Sequence, residues 1–204
     1  MTTDFKVVIC GNYSCGKTSL LNRFLHRQFT NYASSTIGAS FLMWKYETNN
    51  NKISIGFFDT AGQERFSSLI PMYYRSAQAI LYCIALDCDW DKEVEKVKRF
   101  LENLNETNKK CLLYLVVTKI DLDRGTPSGG DYETSLQHFN SFLEYTYNDK
   151  KFSRLFFTSS MSGDGVDSLF ESLGNELMSI QPLKRPEPRI ELYSNTSNVK
   201  KCCY

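Results

Sequence analysis

One eight-residue stretch, residues 11–18, constrains the fold more than any other part of this 204-residue sequence. It reads Gly-Asn-Tyr-Ser-Cys-Gly-Lys-Thr, follows an apolar run at residues 5–10, and precedes leucines and an aromatic residue at helical spacing. The pattern predicts a strand, a glycine-bounded turn and a helix, with the G-x-x-x-x-G-K-T spacing of a phosphate-binding loop. The competing interpretation is a plain glycine turn with an exposed lysine.

The residue types in this loop suit a bound phosphate. Backbone N–H groups surround a phosphate where no side chain intrudes, and the following helix adds the positive end of its dipole. We expect Lys17 to contact the outer phosphates and the Thr18 hydroxyl to bind Mg²⁺. The other loop positions expected to contact the nucleotide are Gly11, Ser14, Cys15, Gly16 and Ser19. The loop alone does not identify the nucleotide.

Composition bounds the remaining possibilities. The length and the hydrophobic fraction of 42% fit one domain with a buried core, which we place at residues 1–180. Residues 181–204 hold three of the five prolines and a charge of +3, and are expected to form a flexible tail. The rest of the chain is near neutral, which argues against nucleic-acid binding. Scattered cysteines without C-x-x-C spacing indicate a reduced, cytoplasmic protein with no disulfide frame.

Strand-like and helical patterns alternate along the body of the chain. The expected strands are 5–10, 41–48, 52–58, 79–86, 111–117 and 155–158; the expected helices are 17–26, a short one ending at 74, 92–104, one around 136–143, and 166–180. Such alternation predicts an α/β fold of three layers, with a mostly parallel six-stranded sheet and helices on both faces. Residues 28–40 show no periodicity and are expected to form a long loop.

Polar residues follow three of the expected strands. Asp59 ends one strand and offers a carboxylate for Mg²⁺, while Gly62 offers its N–H to a terminal phosphate. Asp121 follows another strand and can pair with the N1 and N2 hydrogens of guanine. After the last strand, at residues 159–160, a backbone N–H can reach guanine O6. Because an α/β sheet binds its ligand at the carboxyl ends of its strands, we expect these residues to share one site.

Taken in order, these motifs resemble the five nucleotide motifs of Ras-like small GTPases over residues 5–180. The resemblance implies a P-loop NTPase G domain that binds GTP or GDP with Mg²⁺ and hydrolyses GTP to GDP and phosphate. By position, it makes Thr36 a second Mg²⁺ ligand, Phe29 the ring against the base, and Gln63 the residue that orients the attacking water. Lys17 is then the second catalytic residue. The base-contacting positions are Thr118, Lys119, Asp121, Ser159, Ser160 and Met161.

Residues 37–41, 63–66 and 73–77 resemble signatures of the Rab family, and the wider segments around them resemble the early-endosomal Rabs. The resemblance implies a monomeric switch in vesicle traffic that cycles between cytoplasm and the cytosolic face of endomembranes, with endosomes favoured. It also implies an exchange factor, a GTPase-activating protein, a prenyl-binding escort, and effectors that contact residues 28–41 and 60–75.

Tyr13 departs from the family, which has glycine or another small residue there. A bulky side chain near the terminal phosphate leaves less room for Gln63 or for a partner's catalytic arginine, which contributes about 10³ to 10⁵ in rate. We therefore expect slow GTP hydrolysis, and the alternative is a nucleotide-loaded scaffold with little turnover.

Thr118 and Met161 also depart from the family, which usually has asparagine and lysine at these positions, but an intact Asp121 predicts guanine specificity. A nucleotide kinase is disfavoured because no lid-like arginine cluster is found.

The tail ends in Lys-Lys-Cys-Cys-Tyr, which resembles the double-cysteine terminus of Rabs. The resemblance implies prenylation of Cys202 and Cys203. Two lipid chains give stable membrane anchoring where one gives only marginal binding, and adjacent lysines favour an anionic leaflet. The alternative is a pair of unmodified surface thiols.

Overall fold

The computed structural model describes residues 3–31, 35–48, 51–62, 70–105, 111–123 and 152–180. The strands are β1 (Phe5–Gly11), β2 (Ala39–Glu47), β3 (Lys52–Thr60), β4 (Ala79–Ala85), β5 (Leu112–Thr118) and β6 (Arg154–Phe157). The helices are α1 (Lys17–His26), α2 (Ile70–Tyr74), α3 (Trp90–Asn105) and α4 (Val166–Ser179), and a 3₁₀ turn spans Ile120–Asp123. The helix expected around 136–143, the tail at 181–204 and Gln63 lie outside the described residues.

The six strands form one sheet in the order β2-β3-β1-β4-β5-β6. β2 and β3 are antiparallel, and every other neighbouring pair is parallel. β4 is buried along its whole length, as expected of a central strand covered on both faces, whereas partly and fully exposed residues alternate along much of the edge strand β2. The mostly parallel six-stranded sheet is confirmed.

Two cores lie on opposite faces of the sheet. Side chains of β1 alternate between them: Val7 and Ile9 join α1 and α4, whereas Val8 and Cys10 join α2 and α3. Full burial of a leucine or phenylalanine contributes about 1.5–3 kcal/mol relative to exposure, so the buried apolar side chains of α1, α3 and α4 hold these helices against the sheet. Helices on both faces of the sheet, as the sequence predicted, are confirmed.

Two element boundaries differ from the sequence prediction. β2 begins at Ala39, because Ala39 pairs with Thr60 at the end of the antiparallel ladder, so the loop expected to reach residue 40 ends earlier. α3 begins at Trp90, and its first turn includes a hydrogen bond from the Glu93 N–H to the Asp89 carbonyl. Apolar periodicity marks only the buried positions of an element, and therefore misses polar residues at its ends.

Within the described segments, no helix combines the length and the apolar character needed to cross a bilayer.

Candidate functional site

A cavity of about 470 Å³ lies at the carboxyl ends of β1, β3, β5 and β6. Predicted site residues that line it are Ser14, Gly16, Lys17, Thr18, Ser19, Phe29, Thr36, Gly62, Thr118, Lys119, Asp121, Ser160 and Met161. Tyr13, Thr30, Asn31, Ser35, Thr60 and Leu122 complete the lining. Of these, the sequence predicts only Tyr13 as a neighbour of the terminal phosphate. The others were not predicted as nucleotide contacts, although each lies within two positions of a predicted one. The structure thus brings both predicted ends of the site to one cavity.

The phosphate-binding loop joins β1 to α1 through a tight backbone path. Gly11 has φ +136°, and a Cβ there would lie 2.1 Å from the carbonyl oxygen of Cys83, so the position requires glycine. Gly11 does not line the cavity; it shapes the loop by close packing. Cys15 is buried behind the loop and does not line the cavity either. Burial raises the pKa of the Cys15 thiol, so it stays protonated at neutral pH.

Lys17 places a positive charge inside the loop. Its side chain is only 5% exposed, and its ammonium group donates to the carbonyl oxygens of Gly11 at 3.1 Å and Asn12 at 2.6 Å. These two bonds fold the side chain over the loop and hold the charge beside the N-terminus of α1. A fixed ammonium group next to unpaired helix amides attracts an anion.

Asp59, at the end of β3, forms a small cluster of oxygen atoms with two threonines. Its Oδ2 accepts hydrogen bonds from Thr18 at 2.7 Å and Thr36 at 3.4 Å, and the two threonine hydroxyls lie 3.0 Å apart. Burial raises the pKa of Asp59, while the Thr18 hydrogen bond and the Lys17 charge oppose that rise. Asp59 Oδ1 is buried and has no hydrogen-bond partner among the described residues. An orphaned carboxylate oxygen beside two hydroxyls fits a hard cation such as Mg²⁺.

The opposite end of the cavity is built around Asp121. The Ser159 hydroxyl donates to Asp121 Oδ1 at 2.5 Å, and the Ser159 N–H donates to the Asp164 carbonyl at 2.9 Å. Ser159 does not line the cavity, so its described contacts orient Asp121 and the loop rather than a ligand. Ser160 and Met161 of the same loop do line the cavity.

Arg23 of α1 holds this loop from outside the cavity. Its Nε donates to the Ser160 carbonyl at 2.5 Å, and its Nη2 donates to the Met161 carbonyl. Charge-assisted bonds of this kind are stronger than bonds between neutral groups. The helix that begins with Lys17 therefore also fixes the loop beside Asp121.

Thr118 and Lys119 connect the end of β5 to neighbouring elements. The buried Thr118 hydroxyl lies 2.6 Å from the Cys15 carbonyl oxygen and 3.2 Å from that of Ile84, so it links β5 to the phosphate-binding loop and to β4. The Lys119 ammonium pairs with Asp87, at 3.1 Å from both carboxylate oxygens. Both residues line the cavity, and their polar side-chain atoms bond to protein groups.

Two residues close the end of the cavity that the phosphate-binding loop forms. Tyr13 is 57% exposed, and its hydroxyl lies 3.3 Å from the Ser35 hydroxyl. Gly62 packs against the phosphate-binding loop so closely that a Cβ would lie 2.4 Å from the Asn12 carbonyl oxygen. The segments around Thr36 and Gly62 therefore both lie against the loop.

The sequence matches known proteins along most of its length. The model of the Ras family matches residues 6–179. The chain is 31% identical over 197 residues to the GTP-binding protein YPT52 of Saccharomyces cerevisiae, covering 87% of this chain and 83% of the relative. It is 32% identical over 183 residues to the Ras-related protein RABF2b of Arabidopsis thaliana, covering 89% of this chain and 84% of the relative. It is 29% identical over 208 residues to the Ras-related protein Rab-5A of Dictyostelium discoideum, covering 98% of this chain and 96% of the relative.

Proposed function

Since this chain belongs to the Ras family and is a small GTPase of the Rab type, we propose that it is a GTP/GDP switch that regulates vesicle traffic on endomembranes. The observation that carries the proposal is that Lys17 and Asp121 lie at opposite ends of the same cavity. A nucleotide fits this polarity, since its phosphates need positive charge and its base needs a hydrogen-bond acceptor. An activating protein, an exchange factor and effectors are the expected classes of partner.

The phosphates are assigned to the loop end of the cavity. Lys17 neutralises the outer phosphates, and the backbone N–H groups of residues 14–19 surround them. Thr18, Thr36 and Asp59 would hold Mg²⁺, which, when bound, neutralises phosphate charge. The support for this assignment is the buried Asp59 carboxylate, with one oxygen bonded to both hydroxyls and the other without a partner among the described residues.

The guanine base is assigned to the Asp121 end. The Asp121 carboxylate accepts the N1 and N2 hydrogens of guanine, an arrangement that adenine does not offer. The Ser160 N–H donates to O6, and Ser159 supports both contacts by holding Asp121. The remaining residues proposed to surround the base are Phe29, Thr118, Lys119 and Met161.

Hydrolysis is proposed to proceed by in-line attack of water on the γ-phosphate. The water oxygen bonds to the γ-phosphorus, the bond from phosphorus to the β–γ bridging oxygen breaks with its electron pair going to GDP, and both protons of the water leave with the phosphate product as H₂PO₄⁻. Lys17 stabilises the charge that develops on the phosphate oxygens. Gln63 orients the water; this residue lies outside the described part of the chain, and its role rests on the resemblance to the family.

Hydrolysis is further proposed to be slow, because of Tyr13. The Tyr13 ring lines the phosphate end of the cavity, the region that a catalytic arginine of an activating protein needs to enter. The second candidate function is therefore a scaffold that holds GTP with little turnover, and Tyr13 is the observation that favours it. Gln63 favours the timed switch.

Single-turnover hydrolysis of bound GTP with Mg²⁺ tests these two functions, comparing the wild type with Tyr13→Gly and Gln63→Leu. Measurable wild-type hydrolysis that Gln63→Leu abolishes supports the switch. A wild type as slow as Gln63→Leu, with a faster Tyr13→Gly variant, supports the scaffold. Equal binding of ATP and GTP by the wild type would contradict both.

The membrane part of the proposal concerns the tail. Residues 181–204 are proposed to form a flexible segment, prenylated at Cys202 and Cys203, that brings a monomeric protein to the cytosolic face of endosomes and is bound by an escort protein when in the cytoplasm. Mass spectrometry of the tail peptide tests this modification. Unmodified thiols, together with unchanged membrane fractionation of the variant with both cysteines replaced by serine, would contradict it.

Effectors are proposed to contact residues 28–41 and 60–75. The described parts of these segments expose apolar side chains, with Ile37 at 83%, Met72 at 63% and Phe41 at 46%. Exposed apolar groups grouped near a ligand-dependent segment are typical of a protein-binding surface.

A further inference from the structure

The hydroxyl of Tyr13 connects the phosphate-binding loop to residues 35–38, which we call the switch loop. Tyr13 Oη lies 3.3 Å from Ser35 Oγ, and both residues line the phosphate end of the cavity. The bond joins residues 22 positions apart in the sequence and crosses from one wall of the cavity to another. A glycine or another small residue at position 13 has no atom that reaches this far.

The rest of the switch loop is held by two further links. The Thr36 hydroxyl lies 3.0 Å from the Thr18 hydroxyl, and the Ala61 N–H donates to the Gly38 carbonyl at 2.8 Å. The tyrosine bond therefore fixes the residue immediately before Thr36, on the side opposite to the link at Gly38. Thr36 lies between two anchors.

Resting on the function proposed above, we propose that Tyr13 is a positioning residue that tethers Ser35 and holds Thr36 beside Thr18 and Asp59 whether GDP or GTP is bound. The tether joins two protein hydroxyls, so its strength does not depend on the presence of a third phosphate. The switch loop thus stays over the cavity with either nucleotide. The regulatory consequence is slow release of GDP and a smaller difference between the two nucleotide states.

The ring and the hydroxyl of Tyr13 have separable effects. The ring occupies space near the terminal phosphate, which is the basis for slow hydrolysis. The hydroxyl makes the tether. Tyr13→Phe keeps the ring and removes the tether, so it isolates the second effect from the first.

The experiment is a double-mutant cycle on the release of a fluorescent GDP analogue at saturating Mg²⁺. The variants are Tyr13→Phe, Ser35→Ala and the two combined. Each single change is expected to speed release by about two- to tenfold, the effect of losing one ordinary hydrogen bond, and the combination is expected to add nothing further. The matched control is Tyr46→Phe, which removes another tyrosine hydroxyl with one described partner, Asn175, away from the cavity.

Unchanged release in Tyr13→Phe, or effects of the two single changes that multiply in the combined variant, would overturn the tether. A second measurement separates this outcome from failure of the proposed function. Hydrogen exchange of the peptide that contains Ser35 and Thr36 is expected to be faster in Tyr13→Phe than in the wild type, and equal rates would contradict the tether. Failure of the wild type to bind GDP would contradict the proposed function, while the exchange comparison would still decide the tether.

Discussion

At the scale of single residues, Asp121 shows how one carboxylate is prepared for a specific partner. The carboxylate can only accept hydrogen bonds, and the Ser159 hydroxyl fixes its orientation through a 2.5 Å bond. Guanine presents two adjacent N–H groups to such an acceptor, whereas xanthine presents one N–H group and one carbonyl.

Asp121→Asn is therefore expected to exchange guanine preference for xanthine preference, because the amide offers one acceptor and one donor. Loss of a matched pair of hydrogen bonds to a base costs about 1–3 kcal/mol, so GDP affinity is expected to fall about 5- to 150-fold. Competition of GDP and xanthosine diphosphate for release of a fluorescent nucleotide measures both affinities. Asp167→Asn, an exposed change at an ion pair with Arg27, is the control. Unaltered guanine preference in Asp121→Asn would show that another group selects the base.

Glu93 is a second informative carboxylate, buried in α3 outside the cavity lining. It is 2% exposed; its Oε1 lies 3.4 Å from the Lys96 ammonium, and its Oε2 has no partner in the described part of the chain. Burial raises the pKa of Glu93, and the nearby Lys96 charge only partly offsets this. A raised pKa in the folded state means that the fold prefers protonated Glu93.

The stability that Glu93 contributes by binding a proton is complete below its unfolded pKa of about 4.3 and is lost as the pH rises through its folded pKa. Glu93→Gln is therefore expected to raise the thermal midpoint at pH 7.5 by about 2–4 °C, the shift that 1 kcal/mol gives in a domain of this size. The difference from the wild type is expected to shrink as the pH falls toward 4.3. Thermal unfolding at a series of pH values measures it, with the exposed Glu95→Gln as control. A pH-independent difference would contradict this assignment.

At the scale of elements, α1 joins the two ends of the cavity. Its first turn carries Lys17 and Thr18, and Arg23, two turns further on, holds the carbonyls of Ser160 and Met161. The helix is short and packs against β1, β3 and α4, so one helix contributes contacts at both ends of the cavity. The proposed nucleotide site therefore lies between two loops: the phosphate-binding loop, which leads into α1, and the loop of Ser160 and Met161, which Arg23 of α1 holds.

Arg23→Gln is expected to speed GDP release about tenfold, because charge-assisted hydrogen bonds contribute about 1.5–3 kcal/mol each and part of this is recovered by the new side chain. Arg23→Lys keeps the charge and is expected to restore part of the wild-type rate. Stopped-flow release of a fluorescent GDP analogue measures both. Arg154→Gln removes a guanidinium that pairs with Glu176 away from the cavity, and it should leave release unchanged. Equal rates for Arg23→Gln and the wild type would exclude a supporting role for α1.

The sequence predicted those elements that local patterns determine. Alternation of apolar runs with helical stripes was enough to predict the sheet. The motifs at strand ends were enough to predict that Lys17 and Asp121 line one cavity. Asp59 does not line the cavity itself but accepts hydrogen bonds from Thr18 and Thr36, which do. The contacts of Arg23 were not predictable, because its partners lie 137 and 138 positions away and no local pattern marks them. Ser159 was expected to contact the nucleotide, whereas its hydroxyl holds Asp121; spacing gives a residue's neighbourhood but not the direction of its side chain.

At the scale of the whole molecule, the cavity walls come from separate parts of the chain that a ligand would join. The phosphate-binding loop, the switch loop, the end of β5 and the loop after β6 all line it. A ligand that binds only the folded state stabilises that state by mass action.

Removal of nucleotide and Mg²⁺ with a chelator and a phosphatase is therefore expected to lower the thermal midpoint by about 10 °C, since binding at a thousand times Kd contributes about 4 kcal/mol. Differential scanning fluorimetry measures the change. Adding GDP with Mg²⁺ should restore the midpoint, and adding ADP with Mg²⁺ should not. Restoration by ADP would contradict guanine selectivity.

The antiparallel pair β2–β3 has a mechanical consequence for the two segments at its open end. β2 begins at Ala39, directly after the switch loop, and β3 ends at Thr60, two residues before Gly62; Ala39 and Thr60 form the last rung of their ladder. The bond from the Ala61 N–H to the Gly38 carbonyl adds one rung beyond it. The open end of the ladder therefore lies beside the end of the cavity that is proposed to hold the terminal phosphate. The bond between Ala61 and Gly38 is shared by the segment before β2 and the segment after β3, so a partner that displaces either segment strains the same bond. The pairs from Ala39–Thr60 onward are independent of that bond and keep β2 and β3 together.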